Sequence, residues 1–335
     1  VKRSTCHLFN NQEVLVAMCD EARTAEELLF KAKLAEQTER YEEMAEFMQS
    51  FVSLKTEPLS DEERSLFAVA FKNVSGERRA AWRKLCSIER QEIRLDESIS
   101  GDNRNRNETD NHGQRVLTVK EYKRHVEAEL TMICNEVISI VQDRLIPNTD
   151  PVLSSQLYSL LQSPEIRDDP LRSLESSGAA FQTAVIQLLG SSTYEQSTPS
   201  SKESLVFWYK MIGDYQRFLA EFLMDGSENR ELQSRKGLEA YIIASCIARV
   251  YLEPSHPIRL GLALNFSVFY FEILQMRTLA CRLAETSFNE AVAELDHADE
   301  GSYQDSVLVM QLLKDNLRSW TAEDQDHSDE TRQNP

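Results

Sequence analysis

The sequence predicts an all-α protein, and two observations carry that prediction. Only ten Gly and nine Pro interrupt 335 residues, so few positions break a helix. The segments between them are rich in Glu, Leu, Ala, Lys and Arg, which favour helices, and their apolar residues recur three or four positions apart. A chain of this length suggests about two domains and can bury a substantial core.

Three marginal or short segments precede the long helices. Residues 1–23 form an N-terminal extension with one weak helical pattern. A first helix is expected from Thr24, and a second from about Arg40 through Phe51. Ser60 followed three residues later by Glu63 has the pattern of a capping box, in which each residue accepts a backbone N–H of the other. We therefore expect a long helix from this point to about Leu95.

The middle of the chain is predicted to contain two insertions. Residues 98–114 contain Gly and four Asn, which indicates a loop. The next helix resumes near Val119 and is expected to stop at Pro147. Residues 149–201 are rich in Ser, Thr and Pro, which predicts a mostly mobile insertion with one helix at 179–189. An interdomain linker is the alternative interpretation of this second segment.

Five further helices are expected in the last third of the chain. A proline at a favoured first position helps to place one of them, and a polar, acidic segment ends the chain without apolar residues. The expected helices span 202–223, 230–252, 257–274, 278–295 and 302–320, and the disordered tail spans 322–335.

Charge and composition exclude several functions. The formal net charge of -18 argues against general nucleic-acid binding, which requires surplus Lys and Arg. The six Cys are scattered without metal-ligand spacing or a partner His, so we expect reduced thiols and no metal site. No nucleophile with a paired His and no phosphate-binding Gly loop is present, so neither an enzyme nor a cofactor is expected. The apolar run 260–271 is too short to cross a membrane. These patterns predict a cytoplasmic protein, with the nucleus as an additional compartment.

Two basic faces stand out in this acidic chain. Lys72, Arg79 and Arg83 share one face of the long helix, and Lys210 and Arg217 share a face of a later helix. Asp214 lies between the second pair, one turn from each, which would hold the guanidinium of Arg217 in place. Taken singly, such a face is more often only solvated surface.

Two apolar stripes each carry one amide. The first contains Leu264, Asn265 and Val268, and the second contains Leu312 and Asn316 and ends at Trp320. Ordinary core packing with a local Asn hydrogen bond is the alternative for either stripe alone. Together with the basic faces, they form the set that an extended phosphorylated peptide requires: cations for phosphate, amides for the backbone and apolar residues for flanking side chains.

Several motifs closely resemble those of the 14-3-3 family over about residues 25–95, 118–148 and 203–321. The motifs are Lys31-Ala-Lys-Leu-Ala-Glu-Gln, Arg78-Arg-Ala-Ala-Trp-Arg, Leu145-Ile-Pro-Asn, Gly213-Asp-Tyr-Gln-Arg-Phe-Leu-Ala-Glu, His256-Pro-Ile-Arg-Leu-Gly-Leu-Ala-Leu-Asn-Phe and Met310-Gln-Leu-Leu-Lys-Asp-Asn-Leu. The resemblance implies a single domain, 24–321, with an antiparallel array of about nine helices and a concave groove. It also implies a homodimeric signalling adaptor for phosphoserine or phosphothreonine motifs of client proteins.

The resemblance also assigns residues to the peptide site. These are Lys72, Arg79, Arg83, Lys210, Arg217, Phe218, Leu264, Asn265, Val268, Glu272, Leu312, Asn316 and Trp320. Phe218 stands where the family has a phosphate-binding Tyr, and a hydrogen bond lost to a charged group costs about 1.5 to 3 kcal/mol. Ser319 and Ile212 replace a wall Leu and a Lys near the groove, which predicts altered client preference. A helical scaffold that binds clients independently of phosphorylation is therefore kept as the alternative function.

A dimer interface is implied in the same way. Its residues are Leu34, Arg40, Tyr41, Glu43, Ala81, Leu85, Ile88, Tyr122, His125 and Glu129. Across it, Arg40 would face Glu129 and Glu43 would face His125, a histidine in a family Lys position. Because histidine gains its charge near pH 6.5, the dimer is expected to tighten as the pH falls. Ala81 replaces a Ser whose phosphorylation separates dimers in many members, so that switch is expected to be absent.

The acidic C-terminal tail suggests self-binding. It begins just after Trp320 on the implied groove wall and carries five carboxylates and Ser328, a candidate phosphorylation site. A flexible tail would compete with client phosphate at high effective concentration. The alternative is a tail that only adds solubility.

Overall fold

The computed structural model describes residues 24–100, 106–161, 177–189, 199–224, 226–294 and 300–332. Throughout these ranges the regular structure is helical and no strand occurs, which confirms the all-α prediction. The chain divides into two compact units, with the boundary between Ile140 and Val141. The extension at 1–23 lies outside the described residues, and the single domain of 24–321 stays a prediction. No helix in the described ranges is long and apolar enough to span a bilayer.

In the described part of the first unit, four helices pack mainly as sequential neighbours. They are α1 Ala25–Gln37, α2 Tyr41–Leu54, α3 Asp61–Ser100 and α4 Arg106–Ile140. Buried side chains such as Met44, Phe67 and Leu130 form the core of this unit. The predicted capping box is confirmed, since the Ser60 N–H donates to Glu63 Oε2 at 2.7 Å and the Glu63 N–H donates to Ser60 Oγ at 3.3 Å. The box fixes the start of α3, the helix that carries the first basic face.

The second unit begins with a turn of π-helix at Val141–Leu145, and its described residues continue with eight helices. They are α5 Ile146–Thr149, α6 Pro151–Leu161, α7 Ser177–Leu189, α8 Pro199–Phe222, α9 Glu228–Tyr251, α10 Pro257–Glu272, α11 Arg277–Glu294 and α12 Glu300–Arg332. Helices α8 and α9 form its most extensive pair, around buried Trp208 and Tyr241. Leu260, Met310, Leu313 and Trp320 belong to a second cluster formed by α10, α11 and α12. These helices carry the second basic face and both apolar stripes.

Two helix boundaries correct the sequence analysis in the first half of the chain. The loop predicted for 98–114 is wrong at both ends, because α3 continues through Ser100 and α4 begins at Arg106. Residues 101–105 lie outside the described residues. The prediction relied on the low helix propensity of Gly and Asn, which is only a weak bias once packed residues have nucleated a helix. The helical path also continues past Pro147, which occupies the first turn of α5 and needs no N–H there.

Two segments predicted to lack regular structure contain helices. In 149–201, the predicted helix at 179–189 is confirmed within α7, but α6 at Pro151–Leu161 was missed. Asp150 caps α6 by accepting the Leu153 N–H at 2.9 Å, a signal that was available in the sequence. The disordered tail is also wrong up to Arg332, because α12 continues that far. Self-binding by the tail would require this end of α12 to unfold, and it stays a prediction.

Candidate functional site

The first basic face lies on α3, in the first unit. Lys72, Arg79 and Arg83 fall seven and four positions apart on this uninterrupted helix and therefore share one face. Lys72 and Arg83 are exposed, whereas Arg79 is half-buried. The sequence analysis predicted this arrangement, and it gives the helix three positive side chains along about three turns.

Arg78, next to Arg79, has a different environment. Its Nη1 lies 2.8 Å from Glu42 Oε1 on α2, and its Nε lies 3.5 Å from Glu129 Oε2 on α4. These ion pairs connect α3 to the helices on either side and occupy the guanidinium of Arg78.

The second basic face is built around the carboxylate of Asp214 on α8. Lys210 Nζ lies 2.8 Å from Asp214 Oδ2, and Arg217 Nη2 lies 3.8 Å from Asp214 Oδ1. Arg217 is only 8% exposed, and Asp214 is buried as well. The predicted role of Asp214 is confirmed in its geometry, since it contacts both cations one turn away on either side.

Tyr241 on α9 is part of this group and was not predicted. Its hydroxyl donates a hydrogen bond to Asp214 Oδ1 at 2.6 Å and accepts one from Arg217 Nε at 3.4 Å. Sequence spacing gives no indication of this contact, because Tyr241 lies on another helix and its apolar neighbours suggest a core residue. Gly213 is the related feature of the sequence, because a glycine within a helix can mark close packing by a neighbour. In the structure, a Cβ at this position would lie 2.8 Å from the Tyr241 ring.

Asn265 connects α10 to the same carboxylate. Its Nδ2 lies 2.8 Å from Asp214 Oδ1 and 2.9 Å from Oδ2. The local hydrogen bond considered for Asn265 is therefore wrong, because its partner is 51 residues away. With the amide nitrogen directed at the carboxylate, the amide oxygen is the atom left to accept a hydrogen bond. We call Lys210, Asp214, Arg217, Tyr241 and Asn265 the Asp214 cluster.

The protonation states in the Asp214 cluster follow from its burial and its charges. Burial raises the pKa of Asp214, but the charges of Lys210 and Arg217 and the hydrogen bonds from Lys210 and Tyr241 outweigh it and lower the pKa overall. Burial lowers the pKa of Arg217, but contact with Tyr241 and Asp214 raises it overall. Burial and the neighbouring Asp214 carboxylate raise the pKa of Tyr241 well above its ordinary value. Asp214 is therefore ionised at neutral pH, and Tyr241 keeps the proton that it donates.

Phe218 takes a specific place beside Arg217. Its ring centroid lies 4.9 Å from Arg217 Cζ, within the range of a cation–π contact. The ring of Phe218 also lies edge-on to Tyr215, with centroids 5.3 Å apart. The phenyl group therefore supports the guanidinium but offers no hydrogen-bond donor to a ligand.

The apolar residues of the predicted site gather on α10 and α12. Trp320 is buried and stacks on Phe271 with centroids 4.6 Å apart, and half-buried Leu264 and Val268 pack against the same cluster. Leu312 is 45% exposed, while Asn316 is half-buried. Glu272 is exposed at the end of α10 and acts electrostatically on Arg217. The cation on α8, the amide on α10 and these apolar side chains therefore belong to one unit.

The residues implied in dimerisation are largely accessible in the first unit. Leu34, Ile88 and Tyr122 are 45%, 36% and 61% exposed, respectively. The charges among these residues pair within the protomer. Arg40 contacts Glu43, and His125 Nε2 lies 3.2 Å from Glu129 Oε1. The pairs proposed between two copies would therefore replace pairs that already exist within each copy.

Comparison with known proteins shows the family of this chain. The family model described as "14-3-3 protein" matches residues 31–167 and 162–321. A potato 14-3-3-like protein is 40% identical over 309 residues, which cover 92% of this chain and 94% of the relative. The Arabidopsis thaliana 14-3-3-like protein GF14 epsilon is 40% identical, with 91% of this chain and 93% of the relative covered. The checkpoint signal transducer rad24 of Schizosaccharomyces pombe is 41% identical, with coverage of 89% and 85%. The chain belongs to the 14-3-3 family.

Proposed function

We propose that the chain is a signalling adaptor that binds phosphoserine- or phosphothreonine-containing segments of client proteins and thereby regulates them. The observation that carries the proposal is the buried guanidinium of Arg217, held by Asp214, Tyr241 and Phe218. One relative is a checkpoint signal transducer, which agrees with a signalling role. The proposal places the protein in the cytoplasm.

Charge is the first argument for a phosphate ligand. Within the Asp214 cluster, Lys210 and Arg217 carry two positive charges against the single carboxylate that contacts both. Glu272 also acts on Arg217, but it is exposed, and water screens its charge more strongly. A phosphate monoester carries about -1.5 to -2 charges at neutral pH and accepts several hydrogen bonds, which suits a preorganised guanidinium.

The polarity of the neighbouring groups favours a peptide over free phosphate. The Asn265 amide oxygen is oriented as an acceptor, which fits a backbone N–H. Leu264 and Val268, on the same helix, are only half-buried and offer apolar contact to side chains that flank the phosphorylated residue. Inorganic phosphate would use neither feature.

The test compares a phosphopeptide with its unphosphorylated twin in calorimetric titrations of the full chain. We expect measurable binding of the phosphopeptide only. Arg217→Ala and Arg79→Ala should each weaken it by more than tenfold, because each removes a charge-assisted hydrogen bond.

Lys84→Ala is the matched control for Arg79→Ala. Lys84 is an exposed cation on α3, five positions from Arg79 and therefore well off the basic face. Lys84→Ala removes one positive charge, as Arg79→Ala does, but phosphopeptide affinity should change by less than about twofold. Equal affinity for both peptides would reject phosphate dependence and support the alternative scaffold function. Equal losses of phosphopeptide affinity in Lys84→Ala and Arg79→Ala would mean that only the overall charge of the protein matters, and not the position of Arg79.

A further inference from the structure

We propose that Tyr241 is a positioning residue, whose hydroxyl holds Arg217 and, through Asp214, Asn265 in the orientation that a phosphopeptide needs. The proposal rests on the proposed function. Tyr241 does not contact solvent, since its exposed fraction is 0%, and it would act only through the residues that it bonds.

The directions of the two hydrogen bonds at Tyr241 are fixed. A phenol has one proton, which Tyr241 gives to Asp214 Oδ1 across 2.6 Å. Its oxygen accepts the Arg217 Nε–H across 3.4 Å. The raised pKa of Tyr241 agrees with a hydroxyl that keeps its proton and donates it to the carboxylate. The hydroxyl thereby joins an anion and a cation whose closest atoms in their ion pair are 3.8 Å apart.

The ring of Tyr241 cannot easily move. It stacks on Phe266 with centroids 5.0 Å apart and rings inclined by 12°, and it packs at an angle on Phe269. The side of the ring that faces α8 packs so closely against Gly213 that a Cβ at position 213 would not fit. A rigid ring holds its hydroxyl at one point, so the Arg217 side chain has a fixed partner at Nε.

This partner determines which atoms of Arg217 remain for a ligand. With Nε–H donated to Tyr241, Nη1 and Nη2 are the donors left to a ligand, and Nη2 also lies 3.8 Å from Asp214 Oδ1. A terminal fork of this kind is the geometry that binds phosphate with two parallel hydrogen bonds. Without the Tyr241 hydroxyl, Nε–H would need another acceptor, and the Asp214 carboxylate, whose Oδ1 already lies 3.8 Å from Nη2, is an adjacent one. The guanidinium would then turn toward Asp214.

The same rotation would disturb Asn265. Asp214 Oδ1 currently receives Tyr241 and Asn265, and Oδ2 receives Lys210 and Asn265. An arginine that moves onto Oδ1 competes with the amide nitrogen, and the amide oxygen loses its fixed direction. Tyr241 therefore controls a phosphate contact and a backbone contact at once.

Tyr241→Phe is the test variant, and Tyr270→Phe is its matched control. Both tyrosines stack on Phe266. The ring centroids of Tyr270 and Phe266 are 4.4 Å apart, and Tyr270 is partly buried on α10. No hydrogen bond of the Tyr270 hydroxyl occurs within the described residues. Tyr270→Phe therefore removes a phenolic oxygen, as Tyr241→Phe does, but breaks no hydrogen bond of the kind that Tyr241 makes with Asp214 and Arg217. We expect Tyr241→Phe to weaken phosphopeptide binding by about tenfold and Tyr270→Phe by less than twofold. In an Arg217→Ala background, Tyr241→Phe should cost much less than in the wild type.

A second measurement needs no ligand. NMR of protein labelled with ¹⁵N-arginine detects the Arg217 Nε–H signal, which is assigned by its loss in Arg217→Lys. The hydrogen should exchange slowly with solvent in the wild type and in Tyr270→Phe. It should exchange rapidly in Tyr241→Phe. A rapidly exchanging signal in the wild type, an unchanged one in Tyr241→Phe, or equal affinity losses for both tyrosine variants would overturn the proposal. Slow exchange in a wild type that does not distinguish the two peptides would reject the proposed function while leaving Arg217 positioned.

Discussion

At the scale of single residues, Asp214 is the anion on which the second basic face depends. It is buried and accepts hydrogen bonds from Lys210, Tyr241 and Asn265. Asp214→Asn keeps the shape but leaves the Lys210 and Arg217 charges without a buried counter-charge. We expect the variant to lose about 3 kcal/mol of unfolding free energy at pH 7, as broken buried ion pairs typically do. Urea unfolding monitored by circular dichroism measures this loss.

The pH dependence of that loss follows from the lowered pKa of Asp214. A carboxylate with a lowered folded pKa stabilises the fold above its unfolded value near 4, and the contribution disappears as the pH falls through the folded pKa. The stability gap between wild type and Asp214→Asn should therefore be constant from about pH 5 to 8 and narrow below about pH 4. A gap that widens on acidification would contradict this assignment.

Phe218 offers a second prediction at the residue scale. Phe218→Tyr adds a hydroxyl to the ring that lies 4.9 Å from Arg217 Cζ, next to the proposed phosphate position. We expect phosphopeptide affinity to rise by up to about tenfold, because a new donor reaches a charged acceptor. Phe218→Leu removes the ring instead and should lower affinity by weakening the support of Arg217. Equal phosphopeptide affinities of Phe218→Tyr and Phe218→Leu in titrations would contradict this prediction.

The sequence predicts the charged members of the Asp214 cluster but not Tyr241. Lys210, Asp214 and Arg217 share one helix, so helical spacing is enough to place them together. Tyr241 comes from another helix, and contacts between helices are not encoded in local periodicity. A buried tyrosine among Ala and Ile is also chemically indistinguishable in the sequence from an ordinary core residue.

At the scale of elements, the close packing of α8 on α9 depends on Gly213. A Cβ there would lie 2.8 Å from Cδ1 and Cε1 of Tyr241, so the ring or a helix would have to shift. We expect Gly213→Ala to lower the unfolding free energy by about 1 to 3 kcal/mol. Phosphopeptide affinity should fall with it, because the Tyr241 hydroxyl moves. Thermal unfolding and titration measure the two effects.

Gly76→Ala is the control for Gly213→Ala. Gly76 lies within α3, and a Cβ there would meet no atom within 4 Å. Alanine should therefore stabilise this helix by about 0.5 to 1 kcal/mol through its better helix propensity. A Gly213→Ala variant that is stabilised to the same extent would show that α8 and α9 have room to adjust.

Helix boundaries were predictable where one strong local signal exists. The capping box at Ser60 and Glu63 and the proline at the start of α10 are of this kind, and both are confirmed. The extensions of α4 and α12 were missed because their residues are polar and make no pattern. Adding a residue to an existing helix forms a hydrogen bond without a new nucleation step, so packed segments extend their helices into sequences that would not begin one.

At the scale of the whole molecule, self-association stays a prediction, and the ion pairs of the single chain bear on its strength. In the dimer that the family resemblance implies, Arg40 meets Glu129 and Glu43 meets His125 of the second copy. In each protomer, however, Arg40 contacts Glu43, and His125 contacts Glu129. Association would exchange partners rather than create ion pairs, and exposed pairs contribute only about 0 to 1 kcal/mol each. Apolar contacts of Leu34, Ile88 and Tyr122 must then supply most of the affinity.

We therefore expect the dimer to depend on apolar contacts more than on ion pairs. Leu34→Ser should raise the dimer dissociation constant by more than tenfold, because it removes an exposed apolar side chain from the implied interface. Arg40→Gln should change it by less than about tenfold, because Arg40 already pairs with Glu43 within the protomer. Sedimentation equilibrium distinguishes these outcomes. A dimer that tolerates Leu34→Ser would mean that the interface lies on another surface.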